Sequence, residues 1–127
     1  MDGYVAVYLV DESATAYRLL PYSGQADGAQ RVKAGVDYVF FDSEAAASEQ
    51  ERALIDDLTI TTDKPVEHNE VYVLFSERPF VKPDDNRTSE RVPRSLEADD
   101  FRRWMARNRT KDAGMVAVNK LIKIVRD

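Results

Sequence analysis

The sequence predicts a mainly β fold, an antiparallel β-sandwich of about six or seven strands with one or two short α-helices packed on it. Three observations carry this. Segments 4–10, 36–41 and 70–76 are rich in valine and aromatic residues and bounded by turn formers. Two of them, 4–10 and 70–76, are apolar on both of their alternating faces, and the first expects cover on two sides. A single stretch near the C-terminus carries a clear helical period.

Taken in order, the first strand runs from Tyr4 to Val10, with Val5, Val7 and Leu9 on one face and Tyr4, Ala6, Tyr8 and Val10 on the other. Asp11, Glu12 and Ser13 signal a turn, and 15–21 returns as the second strand of a hairpin. Residues 21–33 hold Pro21, Gly24, Asp27 and Gly28 and read as an exposed loop. After Gly35 comes the strand 36–41. Ser48 and Glu51 match a capping box, which predicts a short helix over 49–57 with Leu54, Ile55 and Leu58 facing inward. Residues 58–62 are a weak strand and 70–76 a strong one.

Residues 77–95 contain Pro79, Pro83 and Pro93, which remove ladder donors and disfavour helix, so this is a long connection. The helix over 96–109 follows, with Ser95 as N-cap. Ala98, Phe101, Trp104, Met105 and Asn108 share one face at three- and four-residue spacing. Asp99 and Asp100 near its start and Arg107 and Arg109 near its end complement the helix dipole, and Asp99 with Arg103 is an acid-before-base pair. Gly114 precedes the last strand, 115–125, with Val116, Val118, Ile122 and Ile124 on one side.

At 127 residues the chain fits one domain, 1–127, long enough to form a core without disulfides or metal. Met1–Gly3 leads straight into a strand instead of a leader peptide, so the chain reads as a domain cut from a longer protein. There is no cysteine, which excludes disulfides, Cys-ligated zinc, iron–sulfur clusters and a Cys nucleophile. No apolar run reaches membrane-spanning length, so no direct membrane insertion is expected. The net charge of −5 argues against a general nucleic-acid binder. Residues 1–70 hold 14 acids and 5 bases, and residues 71–127 hold 9 acids and 13 bases. A compact fold that mixes these charges on its surface is the simpler reading; a dipolar docking surface is the sharper one.

No motif carries a recognisable reaction. His68 is the sole histidine, so a Ser-His-Asp triad would have to use it; between Glu67 and Asn69, before a strand, it reads as a solvated or capping residue. Gly24 and Gly28 lack the flanking residues of a phosphate loop. The acidic turns at Asp11 and Glu12, at Asp56 and Asp57, and at Asp84, Asp85 and Asn86 could supply oxygens to calcium from separate loops, but no EF-hand spacing exists and solvation is their usual role. Most of the aromatic residues read as core, with Tyr4 and Tyr8 as the open cases because they share a strand face. Arg102, Arg103, Arg107, Arg109 and Lys111 form a basic stretch diluted by Asp99, Asp100 and Asp112, which reads as a solvated helix face. Asn86 and Asn108 each begin an Asn-x-Thr glycosylation pattern. No catalytic, cofactor-binding or metal-ligating residue is assigned.

The stretches Leu19 to Tyr22, Ala34 to Phe41, Asn69 to Ser76 with Arg78 to Phe80, and Asp100 to Trp104 through Arg109 and Asp112 together resemble an uncharacterised bacterial domain of unknown function (DUF4384-like), found attached to caspase-like peptidases, kinases or membrane-anchored proteins. The resemblance spans most of the chain. It implies a β-sandwich-like accessory module outside any catalytic unit, and it transfers no functional residue. The expectation is therefore a non-enzymatic accessory or protein-interaction domain of a larger bacterial protein, whose partner is another protein or a sister domain of the same chain, with no nucleic acid and no cofactor. The compartment is left open, a periplasmic or cell-surface location among the options. The alternatives are a ligand-binding sandwich for calcium or glycan, and a hydrolase built on carboxylates or His68.

Overall fold

A computed structural model describes residues 2–22, 30–34, 65–81 and 92–125. The strand expected at 36–41, the helix at 49–57 and the strand at 58–62 lie outside these residues, as do Gly24, Gly28 and the acidic turns at 56–57 and 84–86. The described elements are β1 (Gly3–Val10), β2 (Thr15–Leu20), β3 (Gln30–Val32), β4 (Val66–Ser76), β5 (Ser95–Glu97), helix α1 (Ala98–Lys111) and β6 (Val116–Val125). The fold is mainly β and antiparallel. Among the described residues the strands form one six-stranded sheet in the order β5-β2-β1-β4-β6, with β3 also paired to β1.

The two-faced apolarity of β1 is explained by its place in this sheet. It pairs with β4 from Tyr4↔Ser76 to Val10↔Glu70 along one edge. Along the other edge it pairs with β2 through Val7–Val10 and with β3 through Gly3–Val5. A central strand has neighbours on both edges and cover on both faces, so neither face needs to be polar. Tyr4, Ala6, Tyr8 and Val10 face one hydrophobic cluster with Leu74, Phe101 and Trp104. Val5 and Val7 face a second cluster with Leu20 and Tyr22. Among the described residues the layer over the first face is α1, not a second sheet.

The helix presents Ala98, Phe101, Trp104 and Asn108 to that face. The rings interlock: Tyr8 and Phe101 lie 4.7 Å apart between centroids, and Tyr72 meets Phe101 edge-on at 5.2 Å. Trp104 is 5.6 Å from Tyr8 and 5.8 Å from Phe80. Offset and edge-on contacts of this kind suit the ring quadrupoles and add to the area they bury. Tyr8, an open case in the sequence, is fully buried, and its hydroxyl donates to the Pro93 carbonyl. Tyr4 is half-buried against the same cluster.

Several boundaries differ from the sequence reading. The helix covers 98–111 instead of 96–109, and its N-cap is Glu97, with no side-chain cap bond, not Ser95. The reason is strand competition: Ser95, Leu96 and Glu97 pair with Tyr17, Ala16 and Thr15 of β2. This gives their backbone groups sheet partners before the helix begins. Within the segment read as loop, Gln30–Val32 is a short strand, because β1 extends past the end of β2 and leaves Gly3–Val5 to be paired. β4 starts at Val66, not Glu70, since the long β6 supplies partners from Val66↔Val125 to Phe75↔Val116. On the helix, the acids and bases pair at three residues, Asp99 with Arg102 and Asp100 with Arg103, not at four.

The chain after β4 is fastened to the helix by polar side chains. Val81 N–H donates to Asn108 Oδ1 at 2.8 Å, and the Val81 carbonyl accepts from Trp104 Nε1 at 2.8 Å. Asn108 Nδ2 donates to the Trp104 carbonyl at 2.9 Å. Both amide atoms of Asn108 are therefore used, and the residue is buried. Ser76 Oγ donates to Asp112, whose other oxygen accepts from Gly114 N–H at 3.0 Å.

Candidate functional site

At one end of the sheet, where β1 enters its turn and α1 begins, a cleft of about 550 Å³ opens. Its construction starts with Asp11. The Oδ1 atom of Asp11 accepts from Ser13 N–H at 3.0 Å, Ser13 Oγ at 2.8 Å and Thr15 N–H at 3.0 Å, which is how an aspartate folds a turn on itself. Ala14 in that turn has φ 64°, the left-handed region that a side chain disfavours. The Ala14 carbonyl accepts from Ala98 N–H at 2.8 Å, tying the turn to the helix start.

Five carboxylates line this cleft: Asp11, Glu12, Glu70, Glu97 and Asp99, with His68 and Arg102 among them. The register of β1 on β4 ends at Val10↔Glu70, so His68 extends past the pairing and meets the turn. There its backbone N–H donates to Glu12 Oε2 at 2.6 Å, while the residue is exposed. Glu70 Oε2 accepts from the Tyr72 hydroxyl at 2.9 Å and from Asn119 Nδ2 at 3.2 Å. Burial, and then the Glu70 carboxylate, raise the Tyr72 phenol above its usual range. Asp99 pairs with Arg102 at 3.3 Å.

Four of the five carboxylates thus already serve the turn, the strand end or the helix. Ser13 gives its hydroxyl to Asp11 directly, and His68 enters through its backbone, so the serine–imidazole bond of a triad is absent between them. Among the described residues no three His, Asp or Glu side chains are grouped to hold a metal ion. What the arrangement offers is a concave, net-negative surface suited to a positively charged group.

A second feature lies on the sheet face away from α1. Val73 and Val118 are direct cross-strand partners, and Val116 stands beside them opposite Phe75. They are 40%, 59% and 53% exposed, where the neighbouring Val5 and Val7 of the same face are 9% or less. The expected apolar side of β6 is therefore only partly core: Val116 and Val118 lie in solvent, and Ile122 and Ile124 are half-buried. Of the basic stretch, Arg102 and Arg103 are spent on acids of their own helix, and Arg109 and Lys111 lie exposed in the last turn, where they complement the dipole.

The sequence puts His68 just before a strand and Asp11 and Glu12 in a turn more than fifty residues earlier. Nothing in their spacing brings them together; only the pairing of β1 with β4 does. None of the described helices is long and apolar enough to cross a membrane. No family model, curated protein or solved structure matches the chain.

Proposed function

We propose that this chain is a non-enzymatic accessory or protein-interaction domain of a larger protein. It works by presenting the outer face of β4 and β6 to another protein or to a sister domain of the same chain. The observation that carries this reading is the strip formed by Val73, Val116 and Val118. Val73, Val116 and Val118 are apolar side chains grouped on one sheet face, and such a group provides an area whose burial drives association. The test is capture of the native partner or of flanking domains by the wild-type chain and by the Val116→Lys, Val118→Lys double variant. Loss of capture at an unchanged melting temperature supports the reading. Equal capture by both proteins overturns it.

A second reading rests on the acidic cleft, which places His68 beside five carboxylates. On that reading the domain binds a ligand that carries a positively charged group there, or performs hydrolysis through His68. Titration with a lysine- and arginine-rich peptide followed by thermal shift tests the first form. A shift abolished by Glu97→Gln supports it, and no shift removes it. Hydrolysis of a substrate panel lost in His68→Ala supports the second form, and its persistence in that variant removes it.

A further inference from the structure

We draw no further inference here: the strongest candidate, the acidic cleft between the β1–β2 turn and the start of α1, belongs to the site already described, and as a cluster of carboxylates it has no second feature in the structure that points to the ligand it would take.

Discussion

Two side chains at opposite ends of the size scale set the packing of this molecule. Trp104 is 3% exposed, touches the Tyr8, Phe80 and Phe101 rings and donates its indole N–H to Val81. Replacing it with alanine removes ring area and a buried hydrogen bond, and is expected to cost about 3–5 kcal/mol in chemical denaturation. An unchanged unfolding midpoint would remove Trp104 from the core. Gly3 matters for the opposite reason. A β-carbon there would sit 2.5 Å from the Ser76 carbonyl oxygen and 2.8 Å from the Phe75 ring. The obstacle is backbone in the paired strand, so it cannot swing aside. Gly3→Ala is expected to destabilise by about 1–3 kcal/mol, again read from denaturant melts. By contrast, Ala14 has its φ in the left-handed region, and Ala14→Gly is expected to raise stability by up to about 1 kcal/mol, because relief of strain exceeds the added freedom of the unfolded chain. A lower melting temperature for that variant would mean the turn does not hold the alanine under strain.

At the scale of elements, the end of α1 is joined to the end of β4 through Ser76 and Asp112. The Ser76 hydroxyl first, then the Gly114 amide and the Arg78 charge, hold the Asp112 carboxyl below its usual range. A carboxylate with a depressed folded pKa stabilises the fold above the ordinary carboxylate range, and that contribution disappears as pH falls through the folded value. The junction is therefore expected to loosen below about pH 4, the reference region for aspartate. Following the Asp112 side chain by NMR during acid titration checks this. In Ser76→Ala the titration should move up toward the ordinary aspartate value, and an unmoved midpoint would show that the hydroxyl is not the cause. The same two elements explain the limits of local reading. The face of α1 was legible from the positions of Ala98, Phe101, Trp104 and Asn108 because a helix's own geometry sets its period. Its starting point was not, because Ser95 can either cap a helix or pair in a strand. The choice fell to β2, whose Thr15–Tyr17 backbone needed partners.

On the scale of the whole molecule, the sheet has an inside and an outside along its width. β1 has paired neighbours on both edges, and seven of its eight residues are buried. Its amides, with those of β4 that face it, are expected to exchange most slowly with deuterium, at free energies near that of global unfolding. Faster exchange in β1 than in the terminal turn of α1 would contradict this arrangement. The charges follow the same logic: the acidic cleft and the apolar strip lie on different parts of the surface, so a partner on one need not touch the other. Substitution of Val116 and Val118 should leave any ligand response of the cleft unaltered, which separates the two functional readings experimentally.

The sequence by itself determined the mainly β, antiparallel class, the two-faced burial of β1, the turn at Asp11 and the aromatic face of α1. Each depends on side-chain period or turn chemistry within a few residues. Only the tertiary structure decided that β1 is central, that β4 reaches back to Val66, that Gln30–Val32 pairs, and that His68 meets Glu12 across the sheet end. The physical reason is that pairing between distant segments is settled by which backbone groups and apolar faces remain unsatisfied once the chain has collapsed, and no window of neighbouring residues contains that information.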